Sequence, residues 1–128
     1  MPNKYYKLLF FSTLIVIMTA SLIPHFFPQE VQVRPDFSFR LDYLLHFSSY
    51  LLLGFFLTGW KCYTNKRFRI IIFIVFFGLF FSAIFEFIQY YLPTRTFNPY
   101  DMISNFAGYM IGFVVGVCFL MIQKNKRL

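Results

Sequence analysis

The chain has 128 residues, of which 59% are hydrophobic and 24% are aromatic, and its formal net charge is +7. This composition excludes an ordinary water-soluble domain, and at this length one domain covering residues 1–128 is expected. A strongly basic chain is also compatible with nucleic-acid binding, so the positions of the basic residues decide what the charge means.

Four apolar windows run through the sequence, at about residues 8–27, 41–60, 70–92 and 99–122. Each is close to the roughly 20 residues that a helix needs to cross a hydrocarbon core about 30 Å thick. The windows predict an all-α fold, a four-span transmembrane helical bundle with short connections. Lys4 and Lys7 before an apolar stretch also resemble a signal peptide, but apolarity that continues to Phe27 favours a retained first span.

The basic residues are distributed asymmetrically about these spans. Most lie before the first span, between the second and third, or after the fourth: Lys4, Lys7, Lys61, Lys66, Arg67, Arg69, Lys124, Lys126 and Arg127. No acidic residue accompanies them, so the positive-inside rule predicts that this side, with both the N-terminus and the C-terminus, is cytoplasmic. The positive charge therefore indicates membrane orientation, and no nucleic-acid partner is predicted.

The second span carries the first polar motif. Pro28 and Pro35 in the connection before it predict a structured loop with little regular helix. Within the span, Asp42 and His46 are four residues apart, which places them on one helix face together with Tyr50. This spacing lets a carboxylate orient an imidazole and raise its basicity, a relation used in general acid–base catalysis.

The third span contains a carboxylate in an otherwise apolar helix. Glu86 continues a ridge of small residues at four-residue spacing, and Gln89 follows about one turn later. A charge in hydrocarbon costs at least a few kcal/mol, so an ionisable residue at this position favours a functional role. The alternative is a carboxylate that pairs with His46 or Arg95, or is protonated, and only holds the helices together.

The fourth span begins with polar residues and continues as a glycine ridge. Asn98 and Pro99 predict the start of a helix, as its cap and its first helical residue. Asp101 and Asn105 fall on nearly the same face as the glycines at positions 108, 112 and 116. Asp101 and Asp42 also have a structural explanation, because a carboxylate stabilises the first turn of a helix.

The polar residues of these three spans share a depth as well as a face. Glu86 lies seven residues before Pro93, hence about 10 Å below the outer turn at 1.5 Å per residue. We therefore predict a polar cavity that opens to the outer leaflet, with Arg95 at its rim to bind a phosphate or carboxylate or to neutralise a neighbouring acid. The candidate catalytic residues are Glu86, His46 and Asp42, and the candidate ligand-binding residues are Arg95, Gln89, Asp101 and Asn105.

Several of the same side chains are also of the types that bind metal ions. Asp42, His46, Glu86 and Asp101 combine carboxylates with one imidazole, a set that could suit a divalent ion. The sequence contains no compact ligand motif such as H-E-x-x-H. No metal site and no cofactor are therefore predicted from the sequence.

The polar residues also follow the pattern of a known family. Glu86-Phe-Ile-Gln89, Pro93-Thr-Arg95, Asp101, Asn105 and Gly108 resemble the E-x-x-Q…P-x-R…D-x-x-x-N-x-x-G pattern of VanZ-like membrane proteins. Asp42, His46-Phe47 and Tyr50 look like the D-x-x-x-H-F-x-x-Y segment of that family, and Ser21-Leu-Ile-Pro24 is similar to its S-x-x-P. The resemblance covers nearly the whole chain. It departs at Tyr43, where the family often has Lys, so a basic group is missing there.

The resemblance implies a multi-pass protein of the bacterial cytoplasmic membrane that acts in the cell envelope and in low-level resistance to teicoplanin. It implies no particular reaction. Three functions remain open: binding of a lipid-linked envelope or peptidoglycan precursor, an intramembrane hydrolase or transferase acting on such a head group, and a scaffold. Binding is favoured over catalysis because no complete catalytic motif is visible. Membrane lipids are expected partners, and the sequence does not indicate an oligomeric state.

Overall fold

The structure is a computed structural model that describes residues 3–22, 31–34, 37–39, 41–62, 68–91 and 98–126. Its elements follow the chain as α1 Asn3–Leu22, β1 Val31–Arg34, β2 Phe37–Phe39, α2 Leu41–Cys62, α3 Phe68–Tyr90 and α4 Pro99–Asn125. The four helices confirm the predicted helical fold. The connection predicted as a structured loop contains a short antiparallel hairpin, in which Val31 pairs with Phe39.

Three helices are long and apolar enough to cross a membrane: Leu41–Cys62, Arg69–Tyr90 and Pro99–Asn125. They correspond to the second, third and fourth predicted spans, with ends that differ by a few residues. Helix α1 is not among them, and residues 23–27 of the predicted first span lie outside the described residues. A fourth span and the cytoplasmic location of both termini therefore stay predictions.

The start of α4 has the predicted cap. Asn98 has an extended backbone (φ −128°, ψ 108°), and its Oδ1 accepts a hydrogen bond from the Tyr100 N–H at 3.0 Å. Pro99 occupies the first turn, where a missing N–H leaves no helical hydrogen bond unmade. This cap fixes where α4 begins and thereby places Asp101 in its first turn.

Helices α2 and α4 form the most extensive helix contact of the described residues. A Cβ added at Gly108 would overlap the carbonyl oxygen of Phe47, and one added at Gly112 would overlap that of Leu51. Because both contacts advance in the same chain direction, the two helices run parallel with their backbones close together. The absence of side chains at the two glycines permits this approach, which sets the first turns of α2 and α4 side by side.

Helix α3 runs antiparallel to α4 and is held to it by hydrogen bonds. The Tyr109 hydroxyl donates to the Ile74 carbonyl at 2.8 Å, and the Ser82 hydroxyl donates to the Met102 carbonyl at 3.1 Å. In membrane bundles such bonds are worth about 0.5 to 2 kcal/mol each. They set the register that places Glu86 opposite the start of α4.

The two ends of the bundle differ in charge, with basic residues at one end and acidic residues at the other. Lys61 Nζ lies 4.1 Å from the centroid of the Trp60 ring, and Lys7 Nζ lies 5.7 Å from it. Tryptophan and lysine together are typical of a membrane–water interface. We call this the basic end. The acidic residues of α2 and α4 lie in the first turns of these helices, at the opposite end.

Gly112→Ala is expected to lower the thermal stability of the protein in detergent. The new methyl group would meet the Leu51 carbonyl, which cannot yield without separating α2 from α4. Over-packing of this kind costs about 1–3 kcal/mol, more than the gain of about 1 kcal/mol that alanine has over glycine in a helix. Gly116→Ala is the matched control, because there the nearest atom is the Thr58 Cβ at 3.0 Å, a much milder overlap that needs a shift of only a few tenths of an ångström. Equal melting temperatures for the two variants would contradict the close backbone approach.

Cysteine labelling in intact cells tests the orientation of the chain. In a background lacking Cys62 and Cys118, Lys124→Cys should be protected from a membrane-impermeant maleimide, and Gln32→Cys should be labelled, if the basic end is cytoplasmic. Lys4→Cys should be protected if four spans cross the membrane and labelled if α1 does not cross. Labelling of all three after permeabilisation is the control. A labelled Lys124→Cys in intact cells would reverse the predicted orientation.

Candidate functional site

Four polar side chains form a continuous row across three helices. His46 Nδ1 on α2 lies 3.0 Å from Asn105 Oδ1 on α4. Asn105 Nδ2 in turn donates to Glu86 Oε1 on α3 at 3.2 Å. On the other side of the imidazole, His46 Nε2 lies 3.4 Å from Asp42 Oδ1, one turn earlier on α2. We call Asp42, His46, Asn105 and Glu86 the polar row.

The polar row is more deeply buried at one end than at the other. Glu86 and Asn105 are each 1% exposed, whereas the side chains of His46 and Asp42 are 14% and 15% exposed. Buried polar groups in folded proteins nearly always have hydrogen-bond partners, and the bonds along the row provide several of them. A ligand that meets the row would therefore reach Asp42 and His46 more readily than Glu86.

The chemistry of the row fixes the direction of its hydrogen bonds. Asn105 Nδ2 donates to Glu86 Oε1, so the carbonyl oxygen of Asn105 is the atom that faces His46. Because that oxygen only accepts, His46 Nδ1 carries the hydrogen. His46 Nε2 is then the variable atom: it either carries a second proton that pairs with Asp42 or holds a lone pair.

Of the other three predicted site residues, the structure describes Asp101 and Gln89 but not Arg95. Asp101 is buried and belongs to the same group, because one ligand atom each from Asp42, His46 and Asp101 lie within 4.8 Å of one another. Gln89 is also buried, about one turn beyond Glu86 on α3. Arg95 lies outside the described residues, so its position at a rim stays a prediction.

Two tyrosines were not among the predicted site residues. Tyr50 follows His46 by four residues and interacts electrostatically with Glu86, and its hydroxyl is buried with no hydrogen-bond partner among the described residues. The spacing from His46 was the signal that could have identified it. Tyr43 accepts a hydrogen bond from Asn98 Nδ2 at 3.4 Å, which ties the start of α2 to the cap of α4. No sequence spacing indicated this second contact.

The comparison with protein families identifies the chain. Residues 1–121 match the family described as VanZ/LLP1. The chain belongs to the VanZ/LLP1 family. Membership confirms the resemblance predicted from the motifs, and together with the three long apolar helices it indicates a multi-pass membrane protein. Neither a curated protein nor a solved structure matches this VanZ/LLP1 chain.

The polar row places carboxylate, imidazole and amide groups inside the apolar bundle of this VanZ/LLP1 protein. Glu86 Oε2, like the Tyr50 hydroxyl, is buried and has no hydrogen-bond partner within the part of the chain that the structure describes. The carboxylate oxygen accepts hydrogen bonds, and the phenol both donates and accepts. The two atoms can therefore bind hydroxyl or amide groups, whereas both ring nitrogens of His46 already face a side chain.

A double-mutant cycle between His46 and Asn105 is expected to show direct coupling in this VanZ/LLP1 protein. His46→Ala and Asn105→Ala together should destabilise the protein less than the sum of the single variants, by about 0.5–2 kcal/mol, because each removes the same hydrogen bond. Thermal unfolding of the purified protein in detergent gives the values. The control cycle pairs His46→Ala with Thr58→Ala, whose hydroxyl bonds the Gly54 carbonyl within α2. Additive effects in both cycles would contradict the contact.

Proposed function

We propose that this VanZ/LLP1 protein binds the head group of a lipid-linked cell-envelope precursor in the bacterial cytoplasmic membrane. The observation that carries the proposal is two buried polar atoms, Glu86 Oε2 and the Tyr50 hydroxyl, that have no hydrogen-bond partner among the residues the structure describes. Each such atom costs about 1–3 kcal/mol when it lacks a partner among the protein's own groups or water. A ligand that supplies the partner recovers that free energy as binding.

The stability of the bundle does not explain a carboxylate at this position. Hydrogen bonds between membrane helices contribute about 0.6 kcal/mol on average, whereas a charged group in the bilayer interior costs a few kcal/mol. Asn105 alone already bridges α2 and α4 through His46. Glu86 adds a second bond but leaves its other oxygen without a partner among the described residues, which favours a binding role over a purely structural one.

The orientation proposed from the basic residues favours a ligand of the outer leaflet. With the basic end on the cytoplasmic side, the polar row lies in the outer half of the membrane, near the depth of lipid head groups. Envelope precursors carry hydroxyl, amide and phosphate groups at that depth. Asn105, Gln89 and Tyr50 are suited to the first two, and we assign phosphate or carboxylate recognition to Arg95, whose guanidinium binds such groups bidentately.

The family also suggests what such binding does for the cell. VanZ-like proteins are associated with low-level teicoplanin resistance, and a protein that holds a peptidoglycan precursor would alter the access of the drug or the delivery of the precursor. We therefore propose a contribution to teicoplanin resistance that requires the polar row. Membrane lipids are the partners of this proposal, and nucleic acid has no part in it.

A second candidate is an intramembrane hydrolase or transferase acting on the same head group. The observation in its favour is the contact of His46 with Asp42, because a carboxylate beside an imidazole supports acid–base chemistry. In this candidate His46 takes the proton of an attacking water or hydroxyl, with Glu86 as its acidic partner. Binding is favoured because both His46 nitrogens face other side chains, so neither is directed at a substrate.

The test is the resistance conferred by variants in a teicoplanin-sensitive bacterial host. Glu86→Gln, His46→Ala and Arg95→Ala are each expected to abolish the rise in inhibitory concentration while membrane abundance, measured by immunoblot, stays normal. Thr58→Ala is the control, because it removes a buried polar group away from the polar row. Loss of resistance in proportion to lower abundance would instead support a scaffold.

Mass spectrometry of lipids that co-purify with the protein separates binding from catalysis. A bound, chemically unaltered precursor in the wild-type protein, absent from Glu86→Gln, is the expected result. Conversion of added precursor by the wild-type protein, but not by His46→Ala, would support the enzyme. Purification of the wild-type protein from precursor-rich membranes without any envelope lipid would contradict the proposal.

A further inference from the structure

Three side chains at the outer turns of α2 and α4 form a ligand set. Asp42, His46 and Asp101 each place one oxygen or nitrogen atom within 4.8 Å of the others. We propose that these three residues bind a divalent first-row transition-metal ion between α2 and α4. The site stands independently of the proposed function, because it is argued from these ligands and not from a lipid.

The orientation of His46 supplies the first argument. Its Nδ1 hydrogen is directed to the Asn105 carbonyl oxygen, and its Nε2 faces Asp42. Metal-binding histidines typically donate their other ring N–H to a carbonyl or carboxylate, which fixes the ring and leaves the second nitrogen free to coordinate. Asn105, itself bonded to Glu86, provides that support here.

The distances supply the second argument. Two ligands on one ion, with bonds of about 2.1 Å and angles between about 90° and 109°, are about 3.0–3.4 Å apart. His46 Nε2 and Asp42 Oδ1 are 3.4 Å apart, so one ion can contact both atoms without backbone movement. Asp101 lies in the first turn of α4, with one oxygen within 4.8 Å of the other two ligand atoms.

An unpaired oxygen beside the ligands supplies the third argument. Glu86 is 1% exposed and interacts electrostatically with His46, Asp42 and Asp101. Its Oε2 has no hydrogen-bond partner among the residues that the structure describes. A metal ion with three protein ligands keeps water molecules in its remaining positions, and a buried carboxylate oxygen close by can accept a hydrogen bond from one of them.

The donor types indicate the class of metal. Two carboxylates and one imidazole suit Mn²⁺, Fe²⁺ or Zn²⁺, whereas Ca²⁺ and Mg²⁺ prefer oxygen ligands throughout. The ligands come from two helices that are distant in sequence, so the site has no compact sequence motif. Once bound, the ion links the two helices whose backbones approach at Gly108 and Gly112.

Mn²⁺ binding to the full chain, purified in detergent and stripped with a chelator, tests the proposal. Titration followed by electron paramagnetic resonance should show one Mn²⁺ bound per chain, displaced by Zn²⁺, with a higher melting temperature in the presence of metal. Asp42→Asn, His46→Asn and Asp101→Asn should each weaken binding at least tenfold. His46→Asn is chosen because its amide can still donate to Asn105 while lacking the Nε2 position.

Thr58→Ala is the matched control, since it removes a buried hydroxyl that bonds the Gly54 carbonyl within α2 and should leave Mn²⁺ affinity unchanged. X-ray absorption of the wild-type protein loaded with Zn²⁺ gives a readout that needs no variant, with one imidazole and oxygen ligands expected. No stoichiometric binding of either ion, sulfur coordination, or equal affinity in the wild-type protein and all three ligand variants would each overturn the site.

Discussion

The close approach of α2 and α4 brings the histidine and the asparagine of the polar row into contact. Backbone meets backbone at Gly108 and Gly112, and this proximity lets His46 Nδ1 come within 3.0 Å of Asn105 Oδ1. Larger side chains at those glycines would move the helices apart, and a separation of even an ångström or two breaks a hydrogen bond of that length. The small residues therefore determine the polar site although they form none of its contacts.

Asn105 on α4 is hydrogen-bonded to residues of both α2 and α3. Its amide has a donor side and an acceptor side, so a carboxylate on α3 decides which nitrogen of a histidine on α2 carries hydrogen. A carboxylate in place of Asn105 would set four acids around one imidazole, and an apolar residue would remove both hydrogen bonds. The neutral Asn105 amide thus couples Glu86 to the position of the hydrogen on His46 without adding a charge to the bundle.

Helix-face reasoning predicted much of this site and missed what depends on the packing of separate helices. The four-residue spacings gave the Asp42–His46 pair, and Asn98 with Pro99 gave the start of α4. Nothing local indicated that Tyr43 would contact Asn98, because that contact requires α2 and α4 to be parallel neighbours. The tautomer of His46 could not be predicted either, because it depends on the contact with Asn105 on a different helix. The hairpin was missed because its two strands are too short to separate from a loop by periodicity.

The site atoms without partners among the described residues favour the proposed binding role over a scaffold on energetic grounds. Well-packed apolar residues in place of a buried ionic group are often neutral or stabilising, by up to about 4 kcal/mol. If these residues only fixed the helix register, leucine in place of Glu86 and phenylalanine in place of Tyr50 would be sufficient. The hydrogen bond between His46 and Asn105 would still join α2 to α4. At this site the chain instead keeps two buried atoms, Glu86 Oε2 and the Tyr50 hydroxyl, without partners among its described residues. The metal-bound water or the lipid head group proposed above would recover their cost.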